Sequence, residues 1–335
     1  MTRRAAPWIL ALLLVFSLGS LPLALSLGAM PLDLGRAFRD AVSPDALILW
    51  QIRAPRVLLG WVAGAVLSLA GLLLQALFRN PLASPYTLGI SSGSALGAGL
   101  ALAAGGLAFA VPLEGGLRLL GAQGGALAGA ALAGSLAWSV GRRADRSGPG
   151  GLLLAGVALN FTFASLLLLL QVLADPSQSL RILRWLMGGL DAAAWSALPA
   201  PAAVLVVGLL LAWAGSRELD LLSLGEETAH GRGLSLPLLT GGIFWLSSLL
   251  VAVLVAVTGP IGFVGMMAPH AARLLVGPGH RRLIPAALLL GSGFLVLADA
   301  AARTVLSPAE LPVGVLTACL GGPVFLLLLM RPGRA

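Results

Sequence analysis

Apolar residues in this chain come in long runs rather than at alternating intervals. Stretches 8–30, 57–77, 86–112, 117–140, 150–174, 196–215, 234–257, 261–276, 283–302 and 311–330 consist largely of Leu, Val, Ala and Gly. A helix that crosses a bilayer needs about 20 such residues. A lipid-facing barrel strand would instead alternate apolar and polar residues over about ten positions. The pattern therefore predicts an all-α polytopic membrane protein with about ten transmembrane helices. The run 261–276 is the shortest and is flanked by Gly and Pro.

The polar intervals are mostly brief. The longest, 216–233, holds Glu218, Asp220, Glu226 and Glu227. Its apolar residues Leu219, Leu222 and Leu224 recur at helical spacing, which fits one or two short surface helices. A plain solvated loop fits as well. The interval 78–89 contains Pro81 and Pro85, which cannot continue a helix and restrict the residues before them, so the chain turns there. A Gly/Pro/Arg turn is expected over 141–150.

Composition agrees with the runs. The 335 residues are 58% hydrophobic and 10% charged, with mean hydropathy +0.98, which excludes an ordinary soluble domain. All 21 basic residues are Arg. A P-loop requires Lys, so ATP, if it drives this protein, is bound by another subunit. Net charge +8 comes from arginines spread between apolar runs, the pattern of membrane-flank charges rather than of a nucleic-acid surface. Cys319 has no intrachain partner and reads as a small packing residue.

Arg3 and Arg4 ahead of the run Trp8–Met30 resemble a signal peptide, but the run exceeds the usual 7–15-residue core, and a retained first helix is expected. With the N-terminus in the cytoplasm, ten spans place Arg at 3, 4, 79, 142, 143, 146, 217, 232, 281, 282, 331 and 334 inside. Those at 36, 39, 53, 56, 118, 181, 184 and 303 fall outside. This excess agrees with the positive-inside rule and puts both termini in the cytoplasm. Arg273 lies within a span. Gly125 stands four residues from both Gly121 and Gly129, a spacing that lets helices approach closely.

Three stretches carry more than composition: 51–93, 258–303 and 310–325. They contain, in order, Arg53-x-Pro55-Arg56, Arg79-Asn-Pro-Leu-Ala83, Gly259-Pro-Ile-x-Phe-Val-Gly265, Pro269-His270, Ala298-Asp299 and Glu310-Leu-Pro-Val-Gly314. The ordered set, over about residues 50–330, resembles the FecCD-type permeases of binding-protein-dependent ABC importers, which include the vitamin B12 permease BtuC. Ala54 and Gly279 depart from residues common there, Leu and Asp, without disturbing the match.

The resemblance implies a BtuC-like, type II importer fold in a single permease domain, 1–335, with 1–49 as first helix and outer loop. It implies a multi-pass protein of the bacterial inner or plasma membrane. A second copy of the chain, two ATP-binding-cassette ATPases that hold ATP and Mg, and a periplasmic or lipid-anchored substrate-binding protein would be its partners. Cargo would be an iron chelate of the siderophore class, with haem or a corrinoid such as vitamin B12 as alternatives.

It further implies that the loop 216–233 is the coupling element for the ATPase, through Leu219, Leu222, Leu224, Gly225, Glu226, Glu227, Ala229 and Gly231. Arg53, Arg56 and Arg303 would meet carboxylates of the binding protein, a task suited to a permanently charged, bidentate group. The residues alone allow a plainer reading, snorkelling at the lipid interface and, for Arg303, a pair with Asp299 one turn earlier. Asn80 and Leu82 match positions that narrow the cytoplasmic end of the path, although Asn-Pro is also ordinary turn chemistry. No cofactor and no metal are expected in the chain, because His230, His270 and His280 lack ligand spacing. No catalytic constellation is present, so the chain is not expected to be an enzyme. The rival of another class is an ion-coupled secondary transporter, for which Asp299 is the sole intramembrane carboxylate.

Overall fold

The computed structural model describes residues 6–28, 30–104, 117–144, 150–191, 193–307 and 309–329. Among them the regular structure is entirely helical. Arg3, Arg4, Arg146, Arg331 and Arg334, on which the expected orientation partly rests, lie outside these residues, as does the middle of the turn 141–150.

The helices, in chain order, are α1 (Ala6–Ser26), α2 (Leu34–Arg39), α3 (Pro44–Leu47), α4 (Ala54–Phe78), α5 (Ile90–Ala103), α6 (Leu117–Ala144), α7 (Gly150–Leu173), α8 (Pro176–Leu186), α9 (Pro199–Ala214), α10 (Ser216–Ser223), α11 (Glu226–Gly231), α12 (Leu236–Thr258), α13 (Val264–Val276), α14 (His280–Thr304) and α15 (Val313–Leu329). Seven continuous stretches among the described residues are long and apolar enough to span a membrane: Pro7–Ser26, Pro44–Phe78, Gly121–Arg143, Gly150–Leu173, Trp195–Ala214, Leu236–Thr258 and His280–Thr304. The remaining expected spans, 86–112, 261–276 and 311–330, correspond to the shorter α5, α13 and α15. α5 starts late because Pro85–Leu88 forms a 3-10 turn and Gly89 is left-handed.

One span starts earlier than its apolar run. A π-helix, Ile48–Arg53, joins α3 to α4, with the Ala54 amide bonded five residues back to Leu49. The wider turn falls just before Pro55, which has no N–H to donate to an α-helical ladder. A second departure is α8, an amphipathic helix in an interval read as a connection. Its start is written locally: Asp175 and Gln178 form a capping box around Pro176.

Contacts gather into two compact units. The first comprises the described residues of 1–72, 189–214 and 261–335. Ala24 of α1, Val57 of α4, and Val296 and Ala300 of α14 form a buried cluster, flanked by Leu21, Leu25 and Trp61. Bare glycine surfaces bring helices together here. A Cβ on Gly64 would overlap the backbone of Gly291, and one on Gly71 the backbone of Gly265. The second unit comprises 73–188 and 215–260. In it Gly93 and Gly97 of α5 meet Gly129 and Gly125 of α6 in the same way, the close approach that the Gly spacing predicts. Ala98, Ala126 and Ala256 pack beside them with Trp185 of α8. Apolar side chains such as Leu154, Phe161, Leu168 and Val172 on α7, and Val206 and Leu210 on α9, are exposed. That is the surface a lipid-embedded helix presents.

Candidate functional site

The polar residues singled out by sequence gather at the two ends of α4. At its start, in the first unit, α1 ends at Ser26 and leaves its last carbonyls without helical partners. Two guanidinium groups take them up. Arg53 donates through Nη1 to Leu25 O (2.9 Å) and Ser26 O (3.1 Å), and through Nη2 to Met30 O. Arg303 donates through Nη2 to Ala24 O (3.1 Å) and through Nη1 to Leu27 O (3.0 Å). Positive charge at a helix C-terminus is also favoured by the helix dipole. Gly28 makes room, since a Cβ there would run into the Arg53 guanidinium.

Asp299 lies between Arg303 and Arg56. Arg303 Nε donates to Asp299 Oδ2 at 3.0 Å, the i,i+4 pair allowed for by sequence. Arg56 grips the same carboxylate from α4, Nε at 3.1 Å and Nη2 at 3.0 Å from Oδ1. Arg56 Nη1 also donates to Glu310 Oε2 at 2.8 Å, and Asp191 Oδ1 lies 3.5 Å from Nη2. Arg56 and Arg303 thus hold Asp299 between them, with Glu310 and Asp191 also on Arg56. A buried charge requires such partners.

This geometry bears on the docking and snorkelling readings of the three arginines. Direct docking asks for free cations on the surface, and snorkelling asks for heads in water. Arg53, Arg56 and Arg303 are instead only 4–6% exposed and engaged by their own chain. The exposed members of the cluster are its carboxylates: the side chains of Asp191 and Glu310 are 69% and 41% accessible. Sequence reading found the Asp299–Arg303 pair but missed Arg56 and Glu310, which arrive from 243 positions earlier and from the α14–α15 connection. No local signal reports such pairings.

At the other end of α4, in the second unit, the loop 216–233 folds into α10 and α11. Leu219, Leu222 and Ala229 are buried and anchor the element. Leu224 is 67% exposed, and Glu227 and Gly231 are also on the surface. Gly225 joins the two helices at φ +121°, a conformation essentially confined to glycine. Glu226 opens α11, and its Oε1 accepts from Arg79 Nη2 at 3.3 Å.

Arg79, Asn80 and Leu82 form the turn after α4. The Asn80 amide bonds to Gln75 O and the Arg79 amide to Ala76 O, a Schellman termination with Arg79 in the left-handed position. Asn80 Oδ1 accepts from the Leu82 amide at 2.9 Å, the turn chemistry anticipated for Asn-Pro. Leu82 is exposed. Among the described residues, His, Cys, Asp and Glu form no cluster of three that could hold a metal.

Comparison with known proteins places these features. The FecCD transport family matches residues 9–331. The hemin transport system permease protein HmuU of Yersinia pestis is 39% identical over 316 residues, covering 90% of this chain and 92% of the relative. The iron(3+)-hydroxamate import system permease protein FhuG of Bacillus subtilis is 35% identical, covering 88% and 87%. The vitamin B12 import system permease protein BtuC of Escherichia coli is 39% identical over the same shares. A solved structure of a metal-chelate type ABC transporter in an inward-facing conformation superposes with TM-score 0.84 at 31% identity, over 98% of this chain and all of the other.

Proposed function

Because this chain belongs to the FecCD transport family, and is therefore a multi-pass permease subunit of a bacterial ABC importer and not an enzyme, we propose that it carries iron chelates of the siderophore class. Two copies would form the path, two ATPase subunits would bind ATP and Mg, and a substrate-binding protein would deliver cargo from outside. Both termini would lie in the cytoplasm. Relatives that handle iron(3+)-hydroxamate and Fe(3+)-citrate support this cargo. Haem is the alternative favoured by the hemin permease relative, and a corrinoid the one favoured by the B12 permeases.

The observation that carries the mechanism is the α10–α11 element. Leu219, Leu222 and Ala229 fix it to the bundle, while an exposed leucine beside acidic residues, Leu224 with Glu226 and Glu227, is presented outward. An ATPase that grips this outer edge moves the element as a body, because its inner edge is packed. The permease then alternates between outward and inward openings, each partner shifting the balance only by its differential affinity for the two states.

Docking of the binding protein takes a modified form. Carboxylates of the partner would compete with Glu310 and Asp191 for Arg56, the guanidinium whose ligands include exposed side chains. Arg53 and Arg303, spent on α1 and Asp299, would hold the site in shape. Asn80 and Leu82 would narrow the inner end of the path. An ion-coupled carrier is disfavoured because Asp299, its one candidate carboxylate, is held between two arginines.

The test is ATPase activity of the permease with its ATPase in liposomes, with and without loaded binding proteins. Stimulation by one of them, lost on Leu224→Glu or Glu226→Arg, supports the proposal and identifies the cargo. Uptake driven by an imposed proton or sodium gradient without an ATPase would reject it.

A further inference from the structure

The turn after α4 contains an unexplained choice of residue. The left-handed position of a Schellman termination is normally glycine, since the Cβ of an L-residue is crowded there. This chain, with 44 glycines, places Arg79 there at φ +47°. The side chain that comes with this choice reaches the α10–α11 element. Its Nη2 bonds Glu226 Oε1, and its Nη1 lies over Gly225, 3.9 Å from where a Cβ would stand. Two irregular backbone positions, Arg79 and Gly225, thus face each other across one ion pair.

The pair does little for stability. Its side chains are 38% and 36% exposed, and exposed pairs contribute about 0–1 kcal/mol. Its position is what sets it apart. Glu226 is the first residue of α11, on the same short element that exposes Leu224 and Glu227. Arg79 is the first residue beyond α4, bonded through its own amide to Ala76 and followed directly by the Asn80–Leu82 turn.

We infer that Arg79 is a positioning residue: a strut, through Glu226, by which displacement of the ATPase-facing α11 reaches the end of α4 and the Asn80–Leu82 turn. This rests on the importer reading above. A weak, exposed pair suits the task, because it can break and re-form within a transport cycle without unfolding anything. Left-handed Arg79 aims the side chain at α11, so the strut depends on both the guanidinium and the turn.

The experiment uses the complete transporter in proteoliposomes and measures uptake per ATP hydrolysed. Probes are ferric hydroxamate, ferric citrate, haemin and cobalamin, the one accumulated by the unaltered protein being used thereafter. Arg79→Gly keeps the turn and removes the strut. It is expected to leave hydrolysis nearly unchanged and to lower uptake per ATP by up to about fivefold, the limit set by an exposed pair. Arg79→Lys should restore part of the loss, and Arg79→Glu should lower the ratio at least as far as Arg79→Gly. A transport-to-hydrolysis ratio in Arg79→Gly equal to that of the unaltered protein overturns the inference alone. Absence of ATP-driven uptake by the unaltered protein overturns the importer reading and this inference with it.

Discussion

At the start of α4, Arg53 and Arg56 are buried; Arg53 and Arg303 take up the carbonyls that end α1, and Arg56 and Arg303 hold Asp299. Just past its end, Arg79 lies on the surface and reaches Glu226. The same residue type thus does two kinds of work on one helix. In low dielectric a guanidinium must be fully partnered, and removing one partner leaves a buried charge exposed to its full desolvation penalty. In water the same pair is nearly neutral in energy, which leaves it free to be made and broken. The buried end is suited to holding shape and the exposed end to changing it.

The contrast can be broken most sharply at Asp299. Asp299→Ala takes from Arg56 and Arg303 the buried carboxylate they share, and a loss of about 3–5 kcal/mol is expected, read as a large drop in the thermal midpoint in detergent and in folded yield. An unchanged midpoint would mean the cluster is not a structural unit. Arg53→Ala should remove about 1.5–3 kcal/mol by freeing the end of α1, measured as faster amide exchange over residues 23–27. Equal exchange in both proteins would separate Arg53 from α1.

Next comes Gly225→Ala, which forces a side chain into φ +121°. A penalty of about 1–3 kcal/mol confined to the α10–α11 element is expected, seen as quicker proteolysis there with the rest of the chain intact. The smallest effect belongs to Arg79→Gly, whose thermal midpoint should match the unaltered protein's because the relieved left-handed backbone, about 1–2 kcal/mol, is offset by the lost ion pair, about 0–1 kcal/mol, and by the entropy of glycine, about 0.5–1 kcal/mol. A loss as large as that from Arg53→Ala would show that the two ends are not different in kind.

The route from sequence to these sites was uneven for a physical reason. The Asp299–Arg303 pair was legible because i,i+4 neighbours meet on any helix. So was the α10–α11 element, from the spacing of Leu219 and Leu222 with acidic residues around them. The clasp of Arg56 on Asp299 and the capping of α1 by Arg53 and Arg303 were not, because Arg56 and Arg303 reach partners 243 to 279 positions away and Arg53 reaches back 23 to 28 positions, beyond any helical periodicity. α8 was missed despite a local signal, the Asp175–Gln178 capping box, because its apolar residues are too few to stand out among membrane spans.

The sequence by itself determined that this protein is a helical membrane permease of the FecCD type, since long apolar runs admit few other structures in a bilayer and the ordered motifs name the family. It also excluded a P-loop from this chain, which has no lysine. Only the tertiary structure decided which arginines are buried and which are exposed, because burial depends on what other helices bring to the same place. That decision engaged Arg53 and Arg303 with the end of α1 and brought Arg79, a residue with no assigned task, to Glu226.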